Sequence, residues 1–258
     1  MKAFKLFKYE LLNVLRNKWI LFYGGLLFLF SLALIWIGGS YSKAILSIAN
    51  LIVVLIPLVS LLFSVVYWYY NESYTEMLIT QPLSRKSIFI TRWLAISLIH
   101  SITICLGLIL PFVAYWALSM GVIINILIGL ILCWIFTGVG SLISLQFRDR
   151  MKGFGFSLSL WLFLVLIYDG LILTLLLVLK DYPLDMISGI IGVLNPIGLS
   201  RVLLLVYHDG SLLLGYTGVL VQNLILSFNG ILIAISILIL WLVIPVLLGI
   251  KKITNRDF

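Results

Sequence analysis

Few side chains in this sequence could do chemistry, and they are widely scattered. Asp169 interrupts the apolar run 154–179, and a carboxylate in such a run is a functional candidate because it must find a partner away from water. His100 lies in another apolar run, and His208 stands beside Asp209. Neither histidine has the set of nearby Cys, His or acidic ligands that holds a metal, so no metal site is expected. Cys105 and Cys133, both in apolar runs, read as two buried, inert thiols without disulfide or ligand spacing. Met77, Met120, Met151 and Met186 form no ladder for soft copper ions. The sequence holds no Gly-x-x-x-x-Gly-Lys-Ser/Thr phosphate loop, no His-Glu-x-x-His and no Gly-x-Ser-x-Gly. ATP binding of the phosphate-loop kind, zinc hydrolysis and serine hydrolysis are therefore not expected, nor is any cofactor. An intramembrane enzyme would need paired polar groups at one depth. The one pair on offer, Asp169 with His100, is split between the two halves of the bilayer.

One polar segment is dense enough to do something else. Residues 71–92 begin Asn71-Glu72-Ser73-Tyr74-Thr75-Glu76-Met77-Leu78-Ile79-Thr80-Gln81-Pro82-Leu83-Ser84-Arg85-Lys86-Ser87-Ile88. Pro82 ends whatever precedes it. Ser84 is placed to cap a short helix through Ile90 that would offer Arg85 and Lys86 to a partner. Taken by itself, the segment reads equally well as a docking element or as an ordinary tight loop.

The elements that position these residues follow from composition. The 258 residues are 63% hydrophobic and only 10% charged, with a mean hydropathy of +1.24. Soluble domains run near 25% charged, so a soluble enzyme, a disordered tail and a nucleic-acid-binding domain are all excluded as readings. A helix needs roughly 20 apolar residues to cross a bilayer. Six runs qualify: 19–39, 44–70, 93–118, 122–145, 154–179 and 228–250. Kinks are expected near Pro57 and Pro245. Asp169 is the acidic residue inside these runs, roughly 22 Å from the start of its own at 1.5 Å per residue. An acid hydrogen-bonded within the bundle is the preferred reading. A place at a cavity or dimer interface is the functional one.

The net charge of +8 is distributed unevenly. Fourteen of the seventeen Lys and Arg fall before span one, between spans two and three, between four and five, and after six; Lys43, Lys180 and Arg201 fall on the other side. This places both termini in the cytoplasm. Residues 1–18 read as an interfacial amphipathic helix, with Phe4, Phe7, Leu11, Val14 and Leu15 as its apolar stripe against membrane lipids. The segment 180–227 is expected outside, its apolar stretches too short to span and broken at Asn195-Pro196. Thr137-Gly138-Val139-Gly140-Ser141, with Ser144, marks close helix packing in span four.

The segment 71–92 resembles the coupling loop of ABC-2 type permeases, with Glu72 in the acidic place, Met77-Leu78-Ile79 as the apolar run and Thr80-Gln81-Pro82-Leu83-Ser84-Arg85 as the end. A Gly-Thr of that pattern is replaced by Ser73-Tyr74. The opening Glu10-Leu11-Leu12-Asn13-Val14-Leu15-Arg16-Asn17-Lys18-Trp19 is similar to the family's membrane-entry helix. Tyr168-Asp169, Asn195-Pro196 followed by Arg201, and Trp241-Leu242-Val243-Ile244-Pro245 with Arg256-Asp257-Phe258 resemble the NosY-type branch, which serves maturation of a copper enzyme of nitrous oxide reduction.

The resemblance implies a single all-α permease domain over 1–258, of the type V exporter-like fold, working as a homodimer with a separate cytoplasmic ABC ATPase. It also implies coupling to that ATPase through Glu72, Glu76, Pro82, Ser84, Arg85 and Lys86. Asn195, Pro196 and Arg201 are the candidates for contact with an extracytoplasmic accessory protein. The rival readings are an exporter of a drug, lipid or peptide, and a non-transporting scaffold or sensor for an ATPase.

Overall fold

The computed structural model describes residues 2–116, 118–178, 191–208 and 228–255. In order these form α1 (Lys2–Leu15), α2 (Lys18–Ile37), α3 (Tyr41–Tyr70), α4 (Glu72–Ile79), α5 (Arg85–Ala114), α6 (Met120–Gln146) and α7 (Arg150–Leu162). A π-helical turn (Phe163–Ile167) joins α7 to α8 (Tyr168–Val178), and α9 (Pro196–Tyr207) and α10 (Phe228–Asn255) follow. Among the described residues, six helices are long and apolar enough to cross a membrane: α2, α3, α5, α6, the continuous α7–π–α8 rod, and α10. The expected all-helical, six-span class is what the chain forms. Asp181, Asp185, Asp209 and Arg256-Asp257-Phe258 lie outside the described residues.

Local chemistry sets the helix starts. Asn17, Ser84, Asp149 and Asn195 each accept a backbone N–H of the following turn through the side-chain oxygen. Pro196 takes the first turn of α9, where its missing N–H costs nothing. Alternating spans bring the ends of α3, α6 and α10 together with the starts of α2, α5 and α7. We term this the basic end, since it carries the Lys and Arg clusters.

At the centre α3 lies against α6, with α10 against the other side of α6, and α2 on α5. The close approach of α3 and α6 comes from the small-residue face. Thr137, Ser141 and Ser144 are buried, and a Cβ on Gly140 would stand 2.6 Å from the Leu61 carbonyl. With no hydrophobic drive between helices in lipid, such close backbone contact supplies the cohesion. Side-chain hydrogen bonds sew the same seam. Ser64 donates to the Thr137 carbonyl at 2.9 Å, and the Trp68 indole donates to Ser141 at 2.9 Å. Cys133 is buried and Cys105 half-buried, both as free thiols.

Two expectations need correction. The short helix expected from Ser84 to Ile90 is not a separate element. No breaker follows the Ser84 cap, so the helix continues through Arg92 to Ala114 as one rod. The independent short helix is α4, one stage earlier, at Glu72–Ile79. The N-terminal stripe is also rotated. Phe4 and Leu15 are exposed, whereas Leu6, Glu10 and Val14 are buried, because α1 lies on α5 and turns one face into the protein. In α9, Ile197, Leu199, Val202, Leu204 and Leu205 are buried against the neighbouring helices α3, α6 and α10.

Candidate functional site

The polar side chains gather at two places, and the larger is at the basic end. Arg92 lies seven residues into α5, about 10 Å along the rod. It is 0% exposed, and its partner Glu10 on α1 is 1% exposed. The Arg92 Nε and Nη2 donate to one Glu10 oxygen at 3.0 and 2.9 Å. The other Glu10 oxygen accepts from the Tyr67 hydroxyl of α3 at 3.0 Å. Arg92 Nη1 donates to Thr75 Oγ1 of α4 at 2.6 Å, and Thr75 donates to the Asn71 carbonyl at 2.8 Å. The guanidinium stacks 4.5 Å from the centre of the Trp68 ring. Asn13 of α1 closes the ring of contacts, donating to the Tyr67 hydroxyl at 2.9 Å. Burial, then the field of the Glu10 carboxylate, pushes the Tyr74 hydroxyl above the usual phenol range.

One arginine and one glutamate thus tie four helices, α1, α3, α4 and α5, in a single buried joint. An isolated buried charge would be far too costly, and only this saturation of hydrogen bonds makes the pair tolerable. The joint connects onward through Trp68 to Ser141, then to Ser64 and Thr137, and from Thr137 to Ser97 at 2.8 Å.

The expected coupling residues line the outside of the same joint. Glu76, Pro82, Ser84 and Lys86 are exposed, Glu72 reaches Arg150 at 3.7 Å, and Ser84 caps α5 by accepting from the Ser87 N–H at 3.2 Å. Arg85 donates to the Thr254 carbonyl at 3.0 Å, linking the start of α5 to the end of α10. Thr75 and Leu78 point inward from α4 and are buried, while Glu76 and Met77 point outward. The structure therefore unites the six sequence-selected residues in one corner, with its inner face fastened to the joint.

The second place is near the far end. Arg201 Nη1 donates to Asp169 at 3.0 Å, with the two side chains 30% and 32% exposed. Asn195 is buried. Its amide donates to the Leu164 carbonyl at 2.7 Å within the π turn, while its oxygen caps α9. A π turn leaves carbonyls without regular helical partners, and Asn195 supplies one. Pro196 is buried beside it. Asp169, Asn195, Pro196 and Arg201 thus fall into one cluster that fastens α9 to α8 and the π turn. His208 donates to or accepts from Asn125 at 2.8 Å, and Asn125 donates to the Ile45 carbonyl at 3.0 Å. Burial pushes the His208 imidazole below its ordinary value. His100 packs against Phe63 and Tyr23, in a different neighbourhood from Asp169.

Sequence reasoning missed Glu10 and Arg92 as a site. By sequence Arg92 reads as a topogenic charge outside span three, and Glu10 as part of an entry helix. A signal was present. Glu10 is the acid of an otherwise basic helix, and it shares the i, i+4, i+8 face of Leu6 and Val14. The partner 82 residues away carried no such mark.

No protein-family model matches the chain. The protein named "Probable ABC transporter permease protein NosY" from Stutzerimonas stutzeri is 25% identical over 228 residues, covering 78% of this chain and 80% of that protein. The protein of the same name from Pseudomonas aeruginosa is 26% identical over 222 residues, covering 78% of this chain and 81% of that protein. Both alignments run over the bulk of each partner, so the likeness concerns the whole architecture and no isolated motif. With six helices of spanning length, the chain is a multi-pass membrane protein similar to ABC transporter permeases of the NosY kind.

Proposed function

We propose that this chain is the membrane subunit of an ABC transporter and passes motion from a separate cytoplasmic ATPase to its spans. The observation that carries the reading is the corner of α4, Pro82 and the Ser84 cap. Its outward residues Glu76, Met77 and Lys86 are exposed, and its inward residue Thr75 is hydrogen-bonded to a fully buried arginine. A push on α4 reaches α1, α3 and α5 through Arg92 without crossing a soft contact. The same corner carries the resemblance to the coupling loop, and the similarity to two permeases supports it independently.

Both termini lie in the cytoplasm in this reading, since the basic end carries the Lys and Arg clusters. Two copies assemble with two ATPase subunits. The surfaces available for the second copy are those of α2, the α7–π–α8 rod and α10, the three spans least buried within the chain. At the far end, the Asp169–Arg201 pair holds α9 in place, and the motion is used for export or to move an extracytoplasmic partner. The NosY-type resemblance supports the narrower role of serving copper-enzyme maturation for nitrous oxide reduction.

The test is co-purification with a partner ABC ATPase. Arg85→Glu/Lys86→Glu abolishes recovery of the ATPase while leaving the folded permease. Retained assembly of that variant contradicts docking at this corner. Transport in vesicles containing both subunits separates a transporter from a non-transporting scaffold or sensor.

A further inference from the structure

A cleft of about 800 Å³ opens at the basic end, between the last turns of α6, the first turns of α7 and the last turns of α10. Its walls are of two kinds. Leu142, Phe147, Phe156 and Leu248 supply apolar surface, and Arg148, Lys251 and Lys252 supply three cations. Among the described residues no acidic side chain lines it; Asp149, next in the chain, is engaged in capping α7 through a 2.9 Å bond from the Met151 N–H. The walls are fixed from behind. The rings of Phe147 and Phe156 lie 5.1 Å apart, the Tyr69 hydroxyl donates to the Phe147 carbonyl at 3.0 Å, and Arg85 holds the end of α10 through Thr254. Gly153 and Gly249 let the Tyr69 and Phe89 rings approach where a Cβ would collide.

The geometry points to a binding site for an anionic phospholipid in the leaflet at the basic end. The phosphate would meet Arg148, Lys251 and Lys252, and an acyl chain would run along Leu248 and Phe156. One cost is set against two arguments in favour. The ends of α6 and α10 carry partial negative charge, which alone would repel a phosphate, so the cleft's affinity for anions rests on its three side-chain cations. Basic clefts between spanning helices at this level of a membrane recognise acidic headgroups. The apolar wall is continuous with the exposed face of α10, where Ile244, Leu247 and Leu248 are exposed at the depth of lipid tails. A soluble phosphate would gain nothing from that wall, and an acidic protein segment would gain little. The inference depends on membrane embedding and not on the transport reading above.

Native mass spectrometry of the full chain, released from micelles containing phosphatidylglycerol or phosphatidylcholine, tests it. Wild type retains phosphatidylglycerol in preference to phosphatidylcholine. Arg148→Gln/Lys251→Gln/Lys252→Gln weakens phosphatidylglycerol retention by at least about tenfold, a floor below the several-fold expected for each cation at a membrane surface. Arg148→Lys/Lys251→Arg/Lys252→Arg retains binding, and Lys5→Gln/Lys8→Gln/Lys18→Gln, an equal loss of charge elsewhere at this end, leaves it within about twofold. If the triple glutamine variant does not fold, Lys251→Gln alone, at an exposed side chain, must lower retention by a few-fold. Equal retention of the two lipids by wild type overturns the proposal. So does an equal loss in the two glutamine triples, or competition by inorganic phosphate as strong as by the lipid. Unchanged lipid retention with lost recovery of the ATPase would overturn it in favour of a protein-docking surface.

Discussion

Two ion pairs join the same kinds of group at nearly the same distance, 2.9 Å for Arg92–Glu10 and 3.0 Å for Arg201–Asp169, yet they are built for different work. The first is sealed from solvent and its oxygens and nitrogens are saturated by Tyr67, Thr75 and Trp68 from two further helices. The second is about one third exposed and rests on a single contact. A sealed, saturated pair transmits displacement because none of its members can move alone. A pair held by one contact leaves each member room to shift, so it holds an element without forbidding its motion. The basic end is therefore a joint and the far end a clip.

The largest effect expected from this contrast is at the joint. Arg92→Met leaves the Glu10 carboxylate buried without its partner and destabilises the chain by about 3–5 kcal/mol, whereas Glu10→Leu/Arg92→Met, which removes both charges, recovers much of that loss. Thermal unfolding in detergent measures both. Equal stability of wild type and Arg92→Met would erase the distinction between the two ends.

Next comes Asn195→Ala at the clip. It removes the cap of α9 and leaves the Leu164 carbonyl without its donor, at a cost of about 1–3 kcal/mol. Its effect on stability should exceed that of the neighbouring ion pair. Asp169→Asn keeps a hydrogen-bond acceptor for Arg201 and changes stability less than Asn195→Ala. If it nonetheless abolishes coupled ATPase activity, Asp169 has a role beyond fastening α9. Unchanged activity confines it to that fastening.

The smallest effect concerns pH. The His208 imidazole is held below its ordinary value of 6.5 by burial, so its neutral form is favoured in the folded chain. Stability from this group is complete above 6.5 and declines as pH falls below it, because the unfolded chain then binds the proton more readily. His208→Gln should remove that part of the acid sensitivity. An identical acid limb in the variant would show that the contact with Asn125 does not titrate.

How much of this was legible beforehand differs between the fold and the site. Span number and the basic asymmetry follow from apolar run length and Lys/Arg position, which are one-dimensional properties. The small-residue face of Thr137 to Ser144 was readable for the same reason, since backbone proximity needs small side chains wherever it occurs. The corner at Pro82 and Ser84 was readable from a breaker and a cap. A helix does start at Ser84, but it runs on as span three; the separate short helix α4 precedes the proline, has no side-chain cap at Asn71, and is held by the bond from Arg92 to Thr75, which no local pattern shows. Arg92 itself resembled every other basic residue near a span end. Only the tertiary packing that buries it makes it different, and no local pattern encodes a partner on another helix. At the far end, the order Asp169, Asn195, Arg201 was visible, but the π turn that makes Asn195 necessary was not.

The central claim is that α4 is locked to α1 and α5 by the Arg92 joint and moves with them. Double electron–electron resonance tests it most directly, using spin labels on Glu76→Cys in α4 and Leu12→Cys in α1, both exposed, with Cys105 and Cys133 replaced and the ATPase bound. A second pair, from Glu76→Cys to Leu171→Cys on α8, exposed and outside the joint, reports motion of the spans. On addition of ATP, the first distance stays constant while the second changes. A change of several ångströms in the first distance with the second unmoved would contradict the account.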